Sequence, residues 1–171
     1  VLENQFSIKI DKGSPILLEG APNLPKLNTS IIIPDQKNMR IKVLDSEYIE
    51  LTDINIIPSK GNLSRDVDPK LVPYTYSKHY EQNSFYPYNL ASLGDPYIIR
   101  DIRGQSVIIN PIQYNPISKV LRIYNRIVVE INESKNKLNK EIKNSIQRFS
   151  SEIKSSKEFD NIYNNLFINF F

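Results

Sequence analysis

The 171-residue sequence predicts a mainly β domain, either a sandwich or a barrel. It contains 26 isoleucines and 10 tyrosines but only 5 glycines, and branched and aromatic side chains favour half-buried strands. The apolar runs are short, and prolines and other turn formers separate them. The length and a charged fraction of 24% are typical of a single folded domain with a substantial core.

Strands are expected wherever apolar residues alternate or cluster between turn formers. These predicted strands are residues 4–10, 31–33, 40–44, 48–57, 97–102, 106–110 and 120–131. Four isoleucines and leucines in the fourth of them are core candidates: Ile49, Leu51, Ile54 and Ile56. Gly104 and Gln105 are expected to form a tight turn between the fifth and sixth strands.

The last quarter of the chain has a different composition, rich in lysine and asparagine. Apolar residues at spacings of three and four predict an amphipathic helix over residues 138–153. Residues 155–171 are again apolar and need to be covered. We therefore expect a β core over residues 1–132, followed by a helical or linker segment over 133–171 with an apolar end.

Composition excludes several classes of function. The sequence has no cysteine, which excludes a thiol nucleophile, a disulfide framework and a thiolate metal site. His79 is the only histidine, so a multi-histidine metal site is impossible, and we expect no metal and no cofactor. A net charge of +3 is too small to predict nucleic-acid binding. No apolar run approaches the ~18 residues of a membrane helix, so no membrane insertion is expected.

The sequence gives little support for any catalytic residue. Asp66 and Asp68 lie two residues apart in a loop, where turn aspartates are far commoner than paired acid and base. Asp95 and Asp101 could form a second acid and base pair of a carboxylate hydrolase, but the same explanation as turn aspartates applies to them. His79 has no nucleophile elbow near it and is expected to be a surface loop histidine. The sequence thus predicts a protein that is not an enzyme.

A long stretch without strand periodicity, residues 58–96, is expected to carry function, because such loops are uncommon in compact domains. Its tyrosines between residues 74 and 88 allow one hypothesis, a secreted carbohydrate- or protein-binding module. The alternative is that these tyrosines pack the loop onto its own domain.

The start of this stretch, residues 58–69, is a polar loop between two prolines. It contains two cations, and a loop stiffened at both ends can offer a basic side chain to a protease pocket at low entropic cost. An ordinary exposed loop remains the alternative. The candidate residues are Lys60, Gly61, Asn62, Leu63, Ser64, Arg65 and Asp66.

Several stretches resemble the N-terminal propeptide of the gingipain family, secreted cysteine peptidases of clan CD. One of them is Ile57-Pro-Ser-Lys-Gly-Asn-Leu-Ser-Arg65, which covers most of the polar loop. The other matching stretches are residues 19–25, 68–76, 85–87, 95–105, 111–116, 119–124, 159–163 and 167–169. The resemblance extends over residues 14–131 and returns at 159–169. The order and spacing of the stretches are too regular to arise by chance.

The resemblance implies an antiparallel β-sandwich of jelly-roll type. It implies a prodomain that inhibits its cognate catalytic domain and assists its folding. It also implies that Arg65 occupies the primary specificity pocket of an arginine-specific partner. The expected location is periplasmic or secreted, and the chain begins at Val1 without a signal peptide.

Overall fold

The computed structural model describes residues 5–100, 102–134 and 157–170. Nine strands and one α-helix are assigned within these residues, together with a short 3₁₀ helix at Lys78–Glu81. The elements are β1 (Gln5–Phe6), β2 (Ser14–Pro15), β3 (Pro25–Ile32), β4 (Met39–Leu51), β5 (Asn55–Ile56), β6 (Ala91–Ile99), β7 (Ile102–Ile109), β8 (Ile112–Asn115), β9 (Val120–Glu133) and α1 (Lys157–Leu166). The predicted fold class, mainly β with a short helical C-terminal segment, is confirmed.

The strands form three sheets. The larger two have the orders β2-β3-β7-β6 and β4-β9-β8, and their pairing is antiparallel where β2 meets β3 and β8 meets β9. A small parallel pair joins β1 to β5, with Phe6 opposite Ile56. This pair positions the polar loop at residues 58–69, because β5 leads directly into it.

The chain groups into two compact units, which are described separately. The first contains residues 1–27, 43–90 and 109–128, and the polar loop belongs to it. Burial of large apolar side chains supplies its main stabilising term. Its core residues are Ala21, Leu24, Ile56, Tyr86, Ile112, Tyr114 and Leu121.

The second unit contains residues 28–42, 91–108 and 129–171. Its described core includes Tyr163 from α1 and Phe167 from the segment that comes after it, each 3% exposed. This segment continues the sheet edge, because the Ile168 N–H donates to the Ser30 carbonyl over 3.0 Å. The Asn169 side chain accepts from the Ile32 N–H at 2.7 Å and donates to its carbonyl at 3.0 Å. Tyr163 and Phe167 of the apolar C-terminal end are thus buried within this unit, whereas Ile162 and Ile168 are 50% and 63% exposed.

The helix predicted over residues 138–153 lies outside the described residues. The division of the chain at residue 132, into a β core and a helical or linker segment, stays a prediction.

The strand prediction over residues 48–57 was wrong in part. Residues 40–44 and 48–51 belong to one continuous strand, β4, which ends before a turn at Asp53 with a φ of 59°. Of the core candidates in the predicted strand 48–57, Ile56 is 2% exposed, whereas Ile49 is 55% and Leu51 is 41% exposed. Within residues 5–10, the described part of the predicted strand 4–10, only β1 forms, at Gln5–Phe6. Alternation of apolar residues marks a strand face, but not whether another element covers it.

The predicted turn at Gly104 and Gln105 was also wrong, since both residues lie inside β7. The chain reverses earlier, beside Arg100, whose φ is 52°. Glycine at position 104 has another cause, the close approach of two aromatic rings. A Cβ added there would lie 2.6 Å from Phe167 Cε1 and 2.8 Å from Tyr97 Cε2.

Replacing this glycine should overpack the second unit. We expect Gly104→Ala to lower the free energy of unfolding by about 1–3 kcal/mol, because neither ring can move away without disturbing its neighbours. Gly94→Ala is the matched control, since the three atoms nearest to its added Cβ all belong to Ser106, at 3.3 to 3.9 Å, and none belongs to an aromatic ring. Urea unfolding of both variants measures the difference, and equal midpoints would contradict this explanation of Gly104.

Candidate functional site

The polar loop leaves the first unit from a firmly held point. Pro58 is almost completely buried and Ser59 is 3% exposed. The Ser59 N–H donates to the Ala21 carbonyl at 2.7 Å, and the Gly20 N–H donates to the Ser59 carbonyl at 2.9 Å. Backbone groups buried with their partners satisfied resist displacement, because opening them would leave donors and acceptors unpaired. The start of the loop is therefore fixed in position.

Gly61 then turns the chain outward. Its φ is 76°, a left-handed conformation that glycine adopts without strain. A Cβ at this position would lie 3.1 Å from the Glu19 Cβ. The Gly61 N–H donates to the Ser59 hydroxyl over 3.2 Å. Both the backbone conformation and the space available explain why glycine follows Lys60.

The tip of the loop is a turn centred on Arg65 and Asp66. The Val67 N–H donates to the Ser64 carbonyl at 3.1 Å, which brings the chain back on itself. Arg65 is exposed and makes no hydrogen bond or ion pair with the residues that the structure describes. Its guanidinium is thus available to another molecule.

Asp68 organises the returning arm, which is the part of the loop that follows the tip at Arg65 and Asp66. Its side-chain Oδ1 accepts the Lys70 N–H at 2.9 Å, and its carbonyl accepts the Leu71 N–H at 3.1 Å. An aspartate that bonds the backbone two residues later is a common way to fix a turn. Pro69 is exposed, in contrast to the buried Pro58. The second end of the loop is thus held mainly by hydrogen bonds rather than by burial of a proline.

Lys60 links the two arms of the loop at its base. Its Nζ donates to the Pro69 carbonyl at 2.6 Å and lies 4.2 Å from the centre of the Tyr74 ring. A cation over an aromatic face is attracted by the ring quadrupole. The two cations of the loop therefore differ: Lys60 is engaged inside it, and Arg65 projects from it.

The tyrosine segment after the loop is anchored to the same core. The Tyr80 hydroxyl donates to the Ile56 carbonyl at 2.8 Å, and the Ser77 N–H donates to the Gly20 carbonyl at 3.0 Å. Tyr86 is 6% exposed and exchanges two backbone hydrogen bonds with Tyr114. Burial raises the pKa of the Tyr80 phenol far above its ordinary value, and the nearby Tyr114 and Tyr76 add to the effect.

The exposed tyrosines already have partners of their own. Tyr74 faces Lys60, and the ring of Tyr76 meets that of Tyr80 edge-on at 4.8 Å. The Tyr88 hydroxyl donates to the Gln82 side chain. Contacts of this kind are typical of tyrosines that pack a loop onto its own domain, although Tyr76 and Tyr88 remain 54% and 57% exposed.

His79 differs from the expected surface loop histidine. It is half-buried, with Nδ1 lying 3.0 Å from the Ser77 hydroxyl and its ring 4.8 Å from that of Tyr86. The loop around it is folded against aromatic side chains, which the sequence could not reveal.

The described residues contain no group of three or more histidine, cysteine or acidic side chains that could hold a metal ion. Among them, no helix is both long and apolar enough to cross a membrane.

These features define a β domain that displays a charged side chain on a pinned loop. A family model described as Propeptide_C25 matches residues 4–167, and the chain belongs to this family of propeptides. The chain is therefore a propeptide domain and not a catalytic unit, and the gingipain-propeptide resemblance is confirmed.

Curated relatives include two gingipains of Porphyromonas gingivalis. Gingipain R1 is 41% identical over 152 residues, which cover 89% of this chain and 14% of that protein. Gingipain R2 is 38% identical over 161 residues, which cover 93% of this chain and 21% of that protein. The chain thus spans a small fraction of the length of these relatives.

Solved structures agree on the fold. The complex of Porphyromonas gingivalis RgpB pro- and mature domains matches with a TM-score of 0.79 and 37% identity, covering 94% of this chain and 78% of that chain. A structure on the zymogenic latency of gingipain K from the same organism matches with a TM-score of 0.63 at 22% identity, covering 75% of this chain and 74% of that chain. The second likeness concerns the fold alone.

The buried phenol of Tyr80 should make stability depend on alkaline pH. Its folded-state pKa is raised above the ordinary value of 10.0, so the folded state retains its proton where the unfolded state loses it. The stabilisation is therefore complete below about pH 10 and is lost as the pH rises further. Tyr80→Phe should lower stability at neutral pH by about 1 kcal/mol and should flatten this alkaline loss.

Urea unfolding between pH 8 and pH 11 measures the effect. Tyr88→Phe is the control, because it leaves the phenol of Tyr80 and its hydrogen bond to Ile56 in place. An alkaline slope that is the same in the Tyr80 variant and the wild type would show that this phenol is not responsible.

Proposed function

We propose that this domain inhibits a cognate cysteine peptidase of the gingipain type by inserting Arg65 into its primary specificity pocket. The observation that carries the proposal is the exposed, unpaired guanidinium at the tip of a loop held at its base. Membership of the propeptide family and the likeness to a solved complex of pro- and mature domains support the choice of partner.

The chemistry of the side chain suits this role. A guanidinium offers paired N–H donors that match a carboxylate in two parallel hydrogen bonds, and it stays charged at every physiological pH. Because Arg65 has no hydrogen bond or ion pair among the described residues, binding breaks no polar interaction of this side chain within the domain. The pinned loop has already lost much of its conformational entropy, which lowers the cost of association.

The state of the two cations favours arginine over lysine as the recognised residue. Lys60 would have to give up the Pro69 carbonyl and the Tyr74 ring before it could enter a pocket. Arg65 needs no such rearrangement. We therefore assign Arg65 as the primary residue, flanked by Lys60, Gly61, Asn62, Leu63, Ser64 and Asp66 as the inhibiting loop.

Residues around the tip supply further contact area. Leu71 is 82% exposed and Val67 is 38% exposed, so both apolar side chains are accessible to a bound partner. Asp66 follows Arg65 directly and would place a carboxylate beside the scissile bond. Binding is then spread over the loop rather than confined to one side chain.

The same interface suits a second role, assistance to the folding of the catalytic domain. A prefolded β domain can cover apolar surface that the catalytic domain exposes before maturation. The place of action that fits such a partner is the periplasm or the extracellular space.

Loss of the guanidinium should weaken inhibition. We expect Arg65→Ala to raise the inhibition constant for an arginine-specific gingipain-like peptidase at least about tenfold, since a desolvated charged pair contributes roughly 2 kcal/mol or more. Arg65→Lys should give an intermediate value, because an ammonium cannot form the paired hydrogen bonds. Steady-state inhibition with a small arginyl substrate provides the measurement.

Lys70→Ala is the matched control for that experiment. Lys70 is an exposed cation of the same returning arm, so its removal changes the net charge equally without touching the tip. Equal potency of Arg65→Ala and wild type would remove Arg65 from the mechanism.

The folding role has its own expected outcome. Coexpression of the catalytic domain with this domain should raise the yield of soluble peptidase severalfold over expression alone. Arg65→Ala should retain most of this gain, because the covered surface extends beyond the loop tip. An unchanged yield with the wild-type domain would contradict the folding role.

A further inference from the structure

We propose that Lys60 is a positioning residue that keeps the peptide bond after Arg65 from being lost to hydrolysis while the loop occupies a peptidase. This inference rests on the proposed inhibition through Arg65 and deepens it. It explains why the loop acts as an inhibitor, although an accessible arginine in a protease pocket is also the beginning of a substrate.

The link that Lys60 makes spans the scissile bond. Lys60 lies five residues before Arg65, and its bonding partner Pro69 lies four residues after it. The 2.6 Å hydrogen bond from Nζ to the Pro69 carbonyl therefore closes a ring around that bond. At the tip, the Ser64 carbonyl and the Val67 N–H join the same two arms.

The link is held from both directions. Ser59, directly before Lys60, is buried and bonded to Gly20 and Ala21, so the lysine backbone cannot drift away. The Tyr74 ring lies 4.2 Å from Nζ and favours the same position for the ammonium. Lys60 is thus a cross-link between a fixed arm and an arm that, after cleavage, would otherwise be held farther along, where Thr75 bonds Glu19 and the Ser77 N–H donates to the Gly20 carbonyl.

Cleavage chemistry shows what such a cross-link does. The thiolate of the peptidase forms a bond to the Arg65 carbonyl carbon, the bond from that carbon to the Asp66 nitrogen breaks, and the nitrogen takes up a proton to become an amine. The reverse reaction returns the proton, reforms the carbon–nitrogen bond and expels the thiolate. Hydrolysis instead requires water to reach the acyl carbon, releasing the carboxylic acid and restoring the thiol.

The two outcomes compete for one acyl intermediate. With Lys60 bonded to Pro69, the new amine of Asp66 stays close to the acyl carbon at a high effective concentration, so the bond is resealed. Without the link, the returning arm moves off, water enters, and hydrolysis makes the cut permanent. Lys60 therefore acts on the lifetime of inhibition rather than on recognition by the pocket.

The first experiment needs no gingipain. Trypsin is added to the wild type and to Lys60→Met, Lys60→Arg and Lys70→Met, and mass spectrometry follows the products of cleavage between Arg65 and Asp66. We expect Lys60→Met to be cut about tenfold faster at this bond, a change of about 1.4 kcal/mol. Lys60→Arg should behave as wild type, since a guanidinium can also reach the Pro69 carbonyl and lie over Tyr74. Lys70→Met should not change the rate.

The second experiment uses an arginine-specific gingipain-like peptidase and separates potency from lifetime. Lys60→Met should shorten the time before activity returns about tenfold, a larger factor than any change in its initial inhibition constant. Lys60→Arg should restore the lifetime. A purely structural role would instead weaken initial inhibition and lifetime together.

The outcomes distinguish this inference from the proposed inhibition through Arg65, on which it rests. If Arg65→Ala inhibits as well as wild type, the proposed function fails, while the trypsin rates still judge the role of Lys60. Equal cleavage of Lys60→Met and wild type by trypsin would overturn the inference. Rapid cleavage of Lys60→Arg would overturn it as well, because it would show that the cationic link is not what protects the bond.

Discussion

The backbone hydrogen bonds between Ser59 and the Gly20–Ala21 segment are the constraint on which the functional loop depends. They hold a buried serine next to a buried proline, at the point where the chain leaves the core. Everything beyond this point is exposed or half-buried up to Tyr86. The loop can therefore extend into solvent without losing its direction, because its origin moves only if the core of the first unit opens.

Much of the architecture follows from composition and pattern. Isoleucine-rich runs between turn formers predicted the strands, and proline at position 58 predicted the start of the loop. The sequence could not show that β4 continues through residues 44–48, because no apolar alternation marks its exposed middle. It also led to a wrong interpretation of Gly104, because the rings that require a glycine there come from positions 97 and 167 and meet it only in the folded chain.

The sequence marked out the polar loop as a segment, and the family resemblance alone singled out Arg65 within it. By composition Lys60 and Arg65 are two similar cations of one polar loop. They differ only through the Pro69 carbonyl and the Tyr74 ring, contacts that depend on how the returning arm folds back. Likewise, the tyrosine-rich segment could have been a binding surface or a packed one. The hydroxyl of Tyr80 on the Ile56 carbonyl and the buried Tyr86 favour packing.

The exposed position of the Arg65 side chain has a consequence for how such domains diverge. A side chain that makes no hydrogen bond or ion pair with the described residues can be exchanged at little thermodynamic cost, since surface substitutions of this kind usually change stability by about 0.5 kcal/mol or less. Substitution of Pro58, Ser59 or Gly61 would instead reduce stability, because burial, backbone hydrogen bonds or a left-handed backbone conformation fix these residues. Under the proposed function, target specificity and folding stability therefore depend on different residues of the same short loop, so that one codon change at position 65 could alter the target while the fold stays intact.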